Sequence, residues 1–556
     1  MNADKWTADT FVSVDNAISA LSSTLERSFA IRDSLYQDVL FGLSKGVDQS
    51  TKASAILTVA NSINVHYGSD LTYERDGKVL AKEELEKMLS KELVEIVESF
   101  ARGEEEDFQH EIVKLLFTAS AYLPLEKCNR IFTTELIGKI IRIAECTSPD
   151  FNRNMDLWTS SISIIRNVIP SVNMPNEFIT RLIECINGHV HETCVQLCHI
   201  LVIKVLFPKI KSMQDSGTFC GVLNSNPGFA IKVSRSIVDY LSSVLSSSKN
   251  PVLLSTACIA LVSICEYSWG VDLVLNSGTL RKVVHLALVV ANQKRSFSSY
   301  QKAGIYASID EARTHTEQVI GTSPKTLEDL HELSFNALSV LSKMAFTSNH
   351  RQILAMLDNE IPEVLVKLLD CPDSTPKVKA RSCNTLGNLG CETDNEVQHI
   401  IDSDAFYSLM HTFRSDIDLN TRIESAYAIC ACASKANRKQ VGYIISCNSR
   451  TNDIGDGQCM MLLCDMLEFI ERCDPSNESI VKLCKVVLNG LENILRAGVH
   501  EIKTYNLAGN PYIKMFADVQ GDVRLARLCF FPEYNIARKA FGILNQHFDR
   551  PKIWNL

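Results

Sequence analysis

Long amphipathic helices recur along this chain at a near-constant spacing. Residues 486–498 place Val487, Leu488, Leu491, Ile494 and Leu495 on one helical face. Asn489 and Asn493, four apart, project together from a neighbouring face. Gly498 stands where that helix is expected to stop. Similar helices are expected over 377–389 and 421–432, with Asn388 and Ala431 in matching phase 43 residues apart. The step from Ala431 to Asn493 is 62 residues, one such period plus a polar insert. A helical unit repeating at this length predicts an all-α fold, an α-solenoid of armadillo or HEAT type.

Bulk properties agree with that reading and exclude others. At 556 residues the chain exceeds a single compact core. Glycine (24) and proline (15) are too sparse for a turn-rich β architecture or large disordered tracts. A net charge of −9 leaves no global positive field for nucleic acid or an anionic membrane. Mild acidity suits a basic partner and equally suits an average cytosolic protein. No run of about 18 apolar residues is present to cross a membrane. The start, Met1-Asn2-Ala3-Asp4-Lys5-Trp6, lacks a secretory pattern. The 19 cysteines fall largely in apolar helical patterns, as at Cys194, Cys258, Cys383, Cys430 and Cys484. They read as reduced, buried thiols of a cytoplasmic or nuclear protein.

The rhythm also divides the chain. Residues 1–60 are expected to form an N-terminal helical extension, with Val14, Ile18, Leu21, Leu25, Phe29 and Ile31 helically spaced. Armadillo repeats fill 61–498, interrupted by polar inserts near 292–329 and 447–459. A terminal repeat or cap occupies 499–548 and a tail 549–556. Helix pairs are expected at 84–100 with 107–123, 135–146 with 153–168, 177–187 with 192–205, and 234–245 with 251–267. Three-helix units follow at 352–389 and 396–433. The acidic run 102–106 reads as a solvated loop, and the insert at 447–459 as an exposed turn without a calcium-loop ligand pattern.

The run 488–498, the triplet Asn510-Pro511-Tyr512, the segment Ile536-Ala537-Arg538-Lys539-Ala540-Phe541 and the pair His547-Phe548 resemble the end of the armadillo array of importin alpha. The resemblance is specific from about Arg381 to Phe548, and only the repeat rhythm continues toward the N-terminus. It implies an adaptor that binds extended basic segments of a cargo protein, the nuclear localisation signals, in nuclear protein import. In that family Trp and Asn recur four apart on the groove helix. The indoles form slots for Lys and Arg stems, the amides bond the peptide backbone, and nearby acids receive the charged ends.

Residue by residue, the resemblance carries over in part. The last groove helix keeps Asn493, with Asn489 at the Trp phase. The helix before it has Tyr427 for Trp and Ala431 for Asn, and keeps an acid at Glu424. The next has Asn384 for Trp and keeps Asn388. In the N-terminal half Trp158 fits a Trp position, but Ile162 replaces Asn. Val195 with His199, then Ile259 with Ser263, occupy the following units. No Trp-x-x-x-Asn pair occurs, and only four tryptophans exist. The peptide-binding residues expected are therefore Trp158, Asn388, Glu424, Tyr427, Asn489 and Asn493.

The family also begins with a basic segment for importin beta. Here residues 1–60 carry five basic groups (Lys5, Arg27, Arg32, Lys45, Lys52) against seven acidic ones, so importin beta is not an expected partner. An export receptor at the C-terminal repeats is a further partner the resemblance implies, although Arg524, Arg527, Arg538 and Lys539 make this cap more basic than the family's.

Neither a phosphate loop nor a nucleophile elbow is present, and no cofactor is implied. His189, His191, Cys194, Cys198 and His199 lack paired knuckle spacing and read as buried thiols beside surface imidazoles, not as a metal site. Lys377, Lys379 and Arg381 read as the solvated face of a helix start. An enzyme is not expected. Two functions stay open: the import adaptor, and an armadillo scaffold that has lost classical signal binding and serves as a protein–protein interaction platform.

Overall fold

Many helices here begin where the sequence supplies a cap. Asn250, Thr375 and Asp418 each accept a backbone N–H of the first turn, and Pro251 and Pro376 follow directly in the position that needs no N–H. A computed structural model of the chain describes residues 37–39, 42–43, 49–67, 85, 92–102, 109–147, 155–170, 175–187, 189–206, 227–289, 291, 327–446 and 458–548. The amphipathic stretch expected at 14–31, the loop at 103–106, the tail and nearly all of both polar inserts lie outside the described residues. Among those described, every regular element is a helix.

The chain divides into two units, each with its own core. The first, Met1–Val233, holds α1 (Gln49–Tyr67), α2 (Glu92–Ala101), α3 (Gln109–Tyr122), α4 (Leu125–Ile131), α5 (Thr134–Cys146), α6 (Met155–Val168), α7 (Asn176–Ile186) and α8 (Glu192–Ile200). The last continues into a π-helical turn, Leu201–Leu206. Helices α1, α3, α6 and α8 stack in that order as one row, and α2, α5 and α7 form a second.

The second unit, Ser234–Leu556, begins within α9 (Pro227–Ser247) and continues with α10 (Pro251–Ile264), α11 (Ser268–Asn276), α12 (Thr279–Ala287), α13 (Leu327–Thr347), α14 (His350–Leu357), α15 (Ile361–Leu369) and α16 (Pro376–Leu389). It continues with α17 (Asp394–Asp402), α18 (Ala405–Ser415), α19 (Leu419–Lys435), α20 (Arg438–Ser446) and α21 (Gln458–Arg472). It ends with α22 (Glu478–Tyr505), α23 (Pro511–Asp518), α24 (Gly521–Leu528) and α25 (Tyr534–His547). Helices α10, α13, α16, α19 and α22 pack side by side as an inner row. Helices α11, α14, α17 and α20 form a second row, and α15 packs on α18 in a third. Three helices per repeat, each stacking on its counterpart in the next, make an armadillo-type α-solenoid.

Two devices join successive repeats. The inner row is drawn close by glycine: a Cβ at Gly387 would lie 3.0 Å from the Ala428 Cα, and one at Gly490 would lie 3.0 Å from the Cys430 carbonyl oxygen. The second row is joined by buried polar residues that each close a capping box and also reach the preceding repeat. Gln352 donates to the Ser268 carbonyl (2.7 Å), and Gln440 donates to the Asp394 carbonyl (2.7 Å). Glu396, fully buried, accepts the Glu392 and Thr393 N–H groups and lies 2.7 Å from Nδ1 of His350.

Several expectations need correction. Gly498 does not stop α22, which runs on to Tyr505 and ends at Asn506 in the left-handed region. Gly498 instead admits the side chain of Asn510, whose Oδ1 would lie 2.0 Å from a Cβ there. Asn510 uses that approach to donate to the Leu495 carbonyl (2.8 Å) and to cap α23. The boundaries drawn at 60 and 498 fall inside α1 and α22. Helices α4, α11, α12 and α20 were not anticipated.

A candidate groove across five helices of the second unit

Each helix of the inner row turns a face with helical spacing onto one groove of about 640 Å³. Helix α10 gives Ile259, Val262 and Glu266. Helix α13 gives Asn336, Ser339, Ser342, Lys343 and Phe346. Helix α16 contributes Arg381, Asn384 and Asn388, helix α19 contributes Ile423, Glu424 and Tyr427, and helix α22 contributes Ser479, Lys482 and Leu483.

A hydrogen-bonded ladder of side chains crosses the middle of the groove. Ser342 donates its hydroxyl to Asn384 Oδ1 (3.1 Å), and Asn388 donates to the same oxygen (3.2 Å). Asn384 in turn donates to Glu424 Oε2 (2.8 Å). Asn384 is thus the hub, at the position that the resemblance matches to a Trp. Its short amide can bridge three helices, which an indole with one donor cannot do.

Charge is distributed unevenly along the lining. Glu266 and Lys343 pair at 2.7 Å, and Lys343 also lies 5.7 Å from the Phe346 ring centre. The guanidinium of Arg381 sits 5.4 Å over the Phe335 ring. Lys482 pairs with Glu478, one turn earlier on its own helix, at 2.8 Å. Burial, with Cys391 and Glu424 close by, raises the Tyr427 phenol above its ordinary pKa. The hydroxyl therefore stays protonated at neutral pH and can donate. Phe346 is 73% exposed and Ile259 is 37% exposed, so the groove also has apolar wall.

Of the six expected peptide-binding residues, the groove brings together Asn388, Glu424 and Tyr427. Asn489 is exposed on α22 and does not line it. Asn493 donates to the carbonyls of Ala433 and Ala436, each at 2.8 Å, and so closes the C-terminal end of α19. Those protons are committed to the fold, because a helix end leaves carbonyls that need donors.

Trp158 lies in the first unit and is fully buried. Its ring meets His189 edge-on at 5.1 Å and His191 at 6.2 Å, and it offers no surface to a peptide. Ile162 and Val195 are fully buried too. These three positions of the first unit therefore face the interior. The polar contacts between α3, α6 and α8 run through other residues: Asn167 donates to Ser120 (3.1 Å), and Arg166 donates to Gln196.

Other sequence readings also change. Arg381, taken as part of a solvated face, lines the groove, and Lys379 pairs with Asp416 at 3.1 Å. In the C-terminal cap, Arg527 pairs with Glu471 at 3.1 Å, Arg524 with Glu468 and Glu471, and Lys539 with Glu492. Cys194 and Cys198 are fully buried, and His191 caps α8 through Nδ1. Among the described residues no helix is long and apolar enough to cross a membrane.

No known family model matches the chain. A crystal structure of an engineered protein from the Northeast Structural Genomics Consortium is similar to it, with a TM-score of 0.57 and 16% identity over 92% of this chain and 98% of that one. At that identity the likeness bears on the fold alone. A crystal structure of computationally designed armadillo repeat proteins for modular peptide recognition matches at a TM-score of 0.39 and 16% identity, over 56% of this chain and 99% of that one. A designed armadillo repeat protein in complex with peptide (KR)4 matches at a TM-score of 0.39 and 17% identity, over 55% and 98%. The chain's own rows of helices, three to a repeat, identify it as an all-α armadillo-repeat solenoid.

Proposed function

We propose that the groove of the second unit holds an extended peptide segment of another protein, and that the chain acts as an armadillo interaction scaffold rather than an enzyme. The supporting observation is the convergence of Asn388, Tyr427, Ile259 and Phe346 on one lining. Asn388 Oδ1 and the Tyr427 hydroxyl make no hydrogen bond to the described residues, so both are available to a peptide backbone. Exposed Ile259 and Phe346 supply the apolar contact that usually anchors such interfaces.

The test is selection of peptides from a random displayed library on the intact protein, followed by titration against Asn388→Ala, Tyr427→Ala and Phe346→Ala. Selected peptides should bind with micromolar-range constants and lose about tenfold or more with the aromatic variants, roughly 1.4 kcal/mol or above. Peptides that bind the variants as tightly as the parent would place recognition elsewhere.

A second reading is the importin-alpha-like adaptor for nuclear import, working in cytoplasm and nucleus. Its support is the resemblance from about Arg381 to Phe548 and the two carboxylates on the groove, Glu266 and Glu424. A lysine-rich nuclear localisation peptide, importin beta and an export receptor are the probes. Binding of the first with loss on Glu424→Gln would favour this reading, and failure of all three would remove it.

A further inference from the structure

Resting on the peptide-groove reading, we infer that the groove selects an acidic segment with flanking apolar side chains, and disfavours a basic one. The acids on the lining already have partners. Glu266 holds Lys343, and Glu424 accepts from the Asn384 hub. A basic side chain at Glu266 would have to displace Lys343, whereas Glu424 is bonded by a neutral amide and keeps its charge.

The cations are differently placed. Arg381 has no carboxylate within ion-pair distance among the described residues, and its guanidinium carbon lies 5.4 Å from the Phe335 ring centre. Its guanidinium N–H groups make no hydrogen bond to a described residue, and a guanidinium fork so left can receive a carboxylate bidentately. Lys482 has only Glu478, a pair within one helix turn whose side chains are 67% and 81% exposed. Solvent screens such a pair, so a ligand carboxylate can take it over at little cost. A basic side chain entering beside either cation would meet a like charge, and such repulsion is an effective source of selectivity.

Arg381 and Lys482 stand on α16 and α22, two interhelical steps apart in the inner row. At about 8–10 Å per step, an extended segment joining them spans about five residues. Apolar side chains that extend the segment past Arg381 would meet Phe346 on α13 and Ile259 on α10. The chain's net charge of −9 does not favour an acidic ligand at long range. The preference is therefore local, and strongest where the ligand carboxylate is shielded from water.

The experiment uses the full chain and three labelled twelve-residue peptides sharing the same apolar residues. Their variable positions, including two about five residues apart, carry Asp/Glu, Asn/Gln or Lys/Arg. Fluorescence anisotropy at low ionic strength should rank the acidic peptide first, at least tenfold tighter than the basic one. Arg381→Gln should weaken the acidic peptide specifically, and Arg381→Glu with Lys482→Glu should invert the order, with circular dichroism confirming the fold. A basic or neutral peptide binding as tightly as the acidic one overturns this inference and leaves the peptide groove standing. Failure of all three to bind at about millimolar concentration overturns both.

Discussion

Asn388 and Asn493 show how two identical side chains at matching positions take different roles. Asn388 sits mid-groove with its amide oxygen unengaged by the described residues, whereas Asn493 lies beside the end of α19 and donates to two carbonyls. Asn493→Ala should therefore destabilise the protein by about 1–3 kcal/mol, the cost of leaving buried acceptors unpaired. It should not change the affinity of a groove peptide, because Asn493 does not line the groove. Urea unfolding and peptide titration on one variant separate these effects. Trp158 carries the same lesson. An indole at helical spacing fits a groove or a core equally well, and only its contacts with His189 and His191 place it inside.

The inner helices were largely legible from sequence, because their apolar spacing and flanking Thr375, Pro376 and Asp418 act within one turn. The helix predicted over 377–389 is observed as Pro376–Leu389, and that over 421–433 as Leu419–Lys435. A second periodic signal lies in the same sequence. Asn349 with Gln352, Thr393 with Glu396, and Asn437 with Gln440 repeat one N-terminal capping pattern at 44-residue intervals. This pattern marks the start of α14, α17 and α20, and would have located α20. Gly498 was misread because a glycine permits both a helix stop and a close approach, and the choice depends on Asn510 arriving from outside the helix. Gly490 is a close-approach glycine of the same kind. Gly490→Val should drive a methyl group against the Cys430 carbonyl and cost about 1–3 kcal/mol of stability. The altered packing of α22 on α19 should also weaken groove ligands that touch Lys482. Thermal unfolding and peptide affinity measured together check this, and an unchanged melting temperature would mean that the row is looser than the spacing requires.

Two units with separate cores predict that unfolding is not a single two-state step. Cys194 belongs to the first and Cys430 to the second, and both are fully buried. Burial also raises the Cys430 thiol pKa. Labelling along a urea gradient, read by mass spectrometry, should expose the two thiols at different midpoints. Coincident midpoints would show that the units unfold together. At this scale the sequence determined the class of architecture. Apolar residues in helical phase, repeated at the length of a helical unit, leave few ways to bury them other than stacking, and that constraint is local and periodic. Which polar residues face the groove was decided by the tertiary structure. A helix can present any of its faces to its neighbours, and a rotation too small to disturb the apolar pattern moves a residue such as Trp158 or Asn493 from surface to interior. Only the neighbouring helices fix that rotation, and so only they selected Arg381, Asn384, Asn388, Glu424 and Tyr427 for the lining.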